Sequence, residues 1–136
     1  MSNADAVRAL FESIADDQLE SVASHFADDA EWVELPLGLT YRGPEGWREN
    51  VEYWRDGFTD GKAEMTRVID AGETVIVEYV GSGVNTGTLR TPQGDLEPTG
   101  RHIEAHILDV WEFEDGKIKR GRSYVGGLLA QMNRPA

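Results

Sequence analysis

"RHIEAHILDVWEFEDGKIKRGRSYV", residues 101–125, reads as a β-hairpin. β-Branched and aromatic residues alternate with charged ones on both sides of Asp115-Gly116. That pair tolerates positive φ at both central positions of a two-residue turn, so it joins antiparallel strands. Counting outward from the turn sets Asp109 opposite Arg122, Ile107 opposite Tyr124 and Trp111 opposite Arg120. One face of the hairpin then carries an acid, two arginines, a tyrosine and a tryptophan. Upstream, "KAEMTRVIDAGETVIVEYVGSGVNTG" (62–87) has the same composition, with a tight turn at "DAGE" (70–73). Four long antiparallel strands are expected, and "TLRTPQGDLEPTG" (88–100) between the pairs reads as loop.

The N-terminal half has a different period. Val7, Leu10, Phe11 and Ile14 recur at helical spacing, and after "DDQ" Leu19, Val22, Ala23 and Phe26 repeat it. "EWVEL" (31–35) is strand-like, and a third helix after Pro44 carries Trp47, Val51, Trp54 and Phe58 on one stripe before ending near Gly57. Helices followed by a meander predict an α+β fold: one domain over residues 1–136, with a curved antiparallel sheet wrapped around three N-terminal helices. The concave side of such a sheet leaves a pocket wherever the helices do not fill it.

Composition narrows the chemistry. The chain has no cysteine, which excludes disulfides, thiolate nucleophiles and zinc-cysteine sites and suits a cytoplasmic location. Its 25 acidic and 13 basic residues give a net charge of −12, which repels a phosphate backbone, so nucleic acid is not an expected partner. Neither a leader peptide nor a membrane-length apolar run is readable, and no membrane association is expected. "HIEAH" (102–106) has the spacing of a helical metal pair, yet on a strand the two rings are anchored roughly 13 Å apart, too far for one ion. No metal and no cofactor is expected.

Six short stretches, in order, resemble one family: "HFADDAEW" (25–32), "YRGPEG" (41–46), "GSGVNTG" (81–87), "PTGR" (98–101), "VWEFEDGKI" (110–118) and "LLAQM" (128–132). The chain resembles the SnoaL-like polyketide cyclase branch of the nuclear transport factor two-like superfamily. The resemblance implies a cone-shaped α+β barrel, a pocket for an apolar small molecule and a homodimer through the convex sheet face. The scaffold hosts isomerases, cyclases and non-catalytic binding proteins, so function must be argued from the site.

Residue by residue, this chain departs from the family's patterns. The cyclase acid after the tyrosine of the last strand falls on Gly126, or on Tyr124 in another register. The ketosteroid isomerase base before the proline falls on Leu35, and Glu34 one residue earlier would need a bulge to turn inward. What remains is the hairpin face, with Asp109 as base, Tyr124 as proton donor or oxyanion partner and Arg122 tuning them by charge. Trp32, Glu34, Tyr53, Trp54, Asn85 and Trp111 are the candidate ligand-binding residues, the aromatics suiting a flat apolar ligand. Two readings stand open. One is a cofactor-independent cyclase or isomerase acting by proton transfer on a polycyclic or terpenoid-like ketone. The other is a non-catalytic ligand-binding or dimerisation module.

Overall fold

The computed structural model describes residues 2–132. At its centre Asp115 and Gly116 both take positive φ, 52° and 78°, and close the expected two-residue turn between β7 (His102–Glu114) and β8 (Lys117–Gly126). The second long hairpin, β3 (Phe58–Asp70) and β4 (Thr74–Asn85), turns at residues 71–73. β4 lies against β7 in unbroken antiparallel register from Thr74↔Glu112 to Val84↔His102. The alternation in the sequence sets the faces: Ile103, Ala105, Asp109, Trp111 and Phe113 are buried on β7, while His102, Glu104 and His106 are exposed.

Two further strands complete the sheet, β1 (Phe26–Glu34) and β2 (Leu39–Arg42). Among the described residues the strand order is β2-β1-β8-β7-β4-β3. β1 runs parallel to β8, so the sheet is mixed rather than wholly antiparallel. No local pattern announces that pairing, because it joins segments about ninety positions apart in the chain. Within residues 88–100 the structure forms a small separate hairpin, β5 (Leu89–Thr91) and β6 (Gly94–Leu96), where a loop was expected.

The helices sit on the inner face. α1 (Asn3–Asp16) begins with a capping box in which the Ser2 hydroxyl accepts from the Asp5 amide and the Asp5 carboxylate accepts from the Ser2 amide. The second expected helix is a 3-10 segment, Leu19–His25, and Phe26 already belongs to β1. α2 (Gly46–Gly57) follows, and a short α3 (Leu128–Met132) lies on β7. Val7, Leu10 and Phe11 of α1 and Trp47 and Val51 of α2 pack with Val75, Val77 and Trp111 in one apolar core. The architecture is thus α+β, with helices on the concave side of one curved sheet. No described helix is long and apolar enough to cross a membrane.

Candidate functional site

Register across the sheet builds the site in successive rows. In the first, Trp32 of β1, Gly121 of β8, Trp111 of β7 and Val75 of β4 are neighbours. Gly121 has no side chain, so the two indoles close over it and stack with centroids 4.0 Å apart. Two residues along each strand the row reads Glu34, Ser123, Asp109 and Val77. The third row holds Val125, Ile107, Tyr79 and Met65, and the fourth is small, Ala105, Gly81 and Ala63. The cone is therefore solid at its tryptophan end and open at its glycine end. A cavity of about 330 Å³ remains there, walled by Phe11 of α1, Trp47 and Trp54 of α2, Tyr79 and the small row.

One buried carboxyl stands in that wall. Glu34 is 2% exposed, and the Trp32 indole donates to its Oε1 at 3.0 Å. Its Oε2 has no partner among the described residues. Asn50, whose Oδ1 accepts from the Trp54 indole at 3.1 Å, and Ser123 lie beside it. Burial raises the Glu34 carboxyl above its ordinary value, and the hydrogen bond from Trp32 partly opposes the rise. An acid in this position suits proton transfer near neutral pH better than a solvated one.

A second carboxyl lies behind the first. Asp109 is 1% exposed and does not contribute to the cavity wall. The Ser123 hydroxyl, the Tyr79 phenol and the Trp111 indole surround it, but neither carboxyl oxygen makes a hydrogen bond of normal geometry to a described residue. Burial first, and then the charge of Glu34, holds it well above the usual carboxylate range. The folded chain thus keeps a proton that the unfolded chain releases near pH 3.9. The stability tied to this proton is complete below that pH and is lost as pH rises toward the folded midpoint, at up to about 1.4 kcal/mol per pH unit. Asp109→Asn should therefore exceed the parent in stability at pH 8, with the gap closing toward pH 4 in urea titrations. A gap independent of pH would show that Asp109 ionises freely in the fold.

The other expected site residues divide sharply. Arg122 and Tyr124 face outward: Tyr124 is 47% exposed, and Arg122 bonds to the Tyr124 hydroxyl at 3.0 Å and to Glu112 at 3.2 Å. The expected pairing of Asp109 with Arg122 is corrected by a bulge. Phe113 pairs with Ile118, but Glu112 pairs with Arg120, so Lys119 is the extra residue. One inserted residue turns every later side chain of β8 to the other face. Ser123 thereby replaces Arg122 opposite Asp109, Gly121 replaces Arg120 opposite Trp111, and Val125 replaces Tyr124 opposite Ile107.

Of the expected ligand-binding residues, Glu34 and Trp54 are in the wall. Glu34 needs no bulge there, since it shares a face with Trp32 two positions earlier, while Leu35 turns out to solvent. Trp32 and Trp111 are core, stacked on each other away from the cavity. Tyr53 instead donates to the Arg90 carbonyl at 3.0 Å and ties α2 to the small hairpin. Asn85, fully buried, donates to the Gly57 and Gly87 carbonyls and accepts from Thr99, so it fastens backbone rather than ligand. Sequence reading missed Ser123, Tyr79 and Asn50. Tyr79 was legible as the third inward position after Val75 and Val77; Ser123 was hidden by the bulge.

Comparison with known proteins agrees with this architecture. A family model described as a SnoaL-like domain matches residues 7–121. A proposed SnoaL-like polyketide cyclase from Jannaschia sp. CCS1 superposes with a TM-score of 0.77 at 17% identity, over 98% of this chain and 93% of that one. IdmH, a proposed polyketide cyclase from Streptomyces antibioticus, gives 0.74 at 22% identity, over 98% and 100%. A nuclear transport factor two-like protein from Burkholderia thailandensis E264 gives 0.77 at 22% identity, over 99% of both chains. At these identities the structural likeness establishes the fold. Comparison with curated protein sequences returned no match.

Proposed function

This chain belongs to the SnoaL-like domain family, and we propose that it binds a ring-bearing, largely apolar ketone in the inner cavity and moves a proton on it with Glu34. The observation that carries this reading is one buried carboxyl, Glu34, with one free oxygen, set in a largely aromatic and aliphatic part of the wall, apart from the exposed Asp60 at its rim. Ionised Glu34 takes a proton from the carbon beside the ligand carbonyl, and the electron pair left behind delocalises onto the carbonyl oxygen. Glu34 then returns the proton to a different carbon of the conjugated enolate, which is an isomerisation, or the enolate carbon attacks a second carbonyl of the same ligand, whose π pair passes to its oxygen and takes the proton back from Glu34, which closes a ring. The polyketide cyclases among the structural neighbours support a substrate of this class.

Trp47 and Trp54 line the cavity and serve as built-in reporters. Titration with a panel of polycyclic and terpenoid ketones is expected to quench tryptophan fluorescence saturably. Failure of every member to bind the wild-type chain would overturn the reading. A second reading, binding without turnover, draws on Asp109 lying outside the cavity wall, which leaves Glu34 without a second buried acid in reach of the ligand. Incorporation of deuterium from D2O beside the carbonyl of a bound ketone separates the two, because a passive binder leaves that carbon unlabelled.

The outer sheet face supports a homodimer. Leu35 and Tyr124, 45% and 47% exposed, border a shallow groove with His106 and Leu108. Sedimentation at micromolar concentration should show a dimer that Tyr124→Glu dissociates. A wild-type monomer would remove the dimer from the proposal.

A further inference from the structure

Two buried carboxyls with a serine between them form an arrangement that Glu34 alone does not explain. Glu34 and Asp109 lie on strands β1 and β7, each directly beside Ser123 of the intervening β8. Adjacent strands are about 4.8 Å apart, so the two acids flank the serine on one transverse row. All three residues are no more than 2% exposed. Glu34 Oε2, both Asp109 oxygens and Ser123 Oγ lack a hydrogen-bond partner of normal geometry among the described residues. Buried polar atoms without partners are costly, and four of the six such side-chain atoms among the described residues are grouped on this one row. The Ser123 hydroxyl, set between the two acids, can accept from one carboxyl and donate to the other.

We propose that Glu34, Ser123 and Asp109 act as a single acid unit carrying one negative charge, held on the pocket-facing Glu34 while Asp109 keeps its proton. The Asp109 carboxylic acid donates to Ser123 Oγ, and the Ser123 hydroxyl donates to the Glu34 carboxylate. The order follows from the surroundings. Glu34 already receives the Trp32 indole N–H and borders the cavity, whereas Asp109 has no placed donor and is enclosed. Once Glu34 is ionised, a second charge one row position beyond Ser123 is repelled in a medium that screens poorly. Asp109 and Ser123 are thus positioning residues that aim and stabilise the charge, and Glu34 is the group that meets the ligand.

The other groups facing the unit leave this assignment intact. Tyr79 of β4 is driven well above its ordinary value by burial, as is Tyr41 of β2, and Tyr53 of α2 is pushed up to about 12. All three stay neutral across the range that matters. Arg55 of α2 and Asp60 and Lys62 of β3 belong to the cavity wall, and α1 contributes only Phe11 and Ile14 there.

The proposal rests on the reading of Glu34 as the ligand-facing acid, but its test needs no ligand. Side-chain carboxyl carbons of the full chain are followed by NMR from pH 4 to pH 9. In the wild type Glu34 should ionise first, with Asp109 still protonated when Glu34 is fully charged. Glu34→Gln should lower the Asp109 midpoint by about one pH unit or more, because it removes the like charge. Ser123→Ala should raise the Glu34 midpoint, and Ser123→Thr, which keeps the hydroxyl, should restore it. A serine with a purely structural role would not give that rescue. Asp109 ionising before Glu34 in the wild type overturns the proposal even if a variant fails to fold. An Asp109 midpoint unmoved by Glu34→Gln, or a Glu34 midpoint unmoved by Ser123→Ala, overturns it as well. A chain that binds no ketone but titrates in this order defeats the functional reading alone. A chain that binds and titrates otherwise defeats only the acid unit.

Discussion

Gly121→Val is expected to abolish the cooperative unfolding transition, and Gly121→Ala to lower the melting temperature by several degrees. A Cβ at position 121 would overlap the Trp32 ring and stand 2.9 Å from the Val110 carbonyl oxygen. Both neighbours are fixed. Trp32 is buried and stacked on Trp111, which in turn meets Phe26 and Trp47 edge to face, and Val110 pairs with Arg122 in the ladder. Inserting one methyl into a close-packed core costs about 1–3 kcal/mol, which at this size corresponds to roughly 3–5 °C per kcal/mol. Valine adds two further carbons to the same space and strands the aromatic stack. Thermal denaturation followed by near-ultraviolet circular dichroism reads the result directly, since the signal arises from the packed indoles. Trp32→Leu in the Gly121→Ala background should recover part of the loss by opening the space above the new methyl. Wild-type melting of Gly121→Ala would show that the stack does not depend on the glycine.

The second large effect concerns turnover. Glu34→Gln is expected to lower kcat for proton transfer by roughly 10²–10⁴-fold, with KM nearly unchanged. Glutamine preserves shape, and its carbonyl oxygen still accepts from the Trp32 indole, so the cavity survives while the base is lost. The pH profile carries the sharper signature. A base works when ionised, so the rate should rise with pH through the Glu34 midpoint. Burial places that limb above the ordinary carboxylate range. In Glu34→Gln the limb should vanish rather than move. Replacing Arg122 or Tyr124 should leave both kcat and the limb in place, because their side chains lie on the opposite face of β8.

Much of this was legible before any coordinates. Alternation put Ile103, Ala105, Ile107, Asp109, Trp111 and Phe113 on one face of β7, but which face turns inward was open until the structure buried that side. The aromatic stripe of α2 was legible from its spacing, and Trp54 lines the cavity as expected. Arg122 and Tyr124 were misplaced because the count from the turn assumed a perfect ladder, and the bulge at Lys119 leaves no mark in a run of charged residues. Asn85 shows a different limit. A polar side chain near a bend suits a pocket or a backbone knot equally well, and only its four hydrogen bonds decide for the knot.

The sequence by itself determined the two main helices, the two long hairpins with their turns and which strand positions are apolar. These are properties of period and turn chemistry, carried within a dozen residues. The tertiary structure alone decided which residues share a row. Glu34 meets Ser123 only because β1 docks in parallel beside β8, and Ser123 meets Asp109 only because one residue bulges out of the ladder. Both are long-range choices of pairing and register, fixed by how the whole inner face packs. A one-residue slip of β1 would turn Glu34 from the cavity to solvent, and loss of the β8 bulge would turn Ser123 out and Arg122 in.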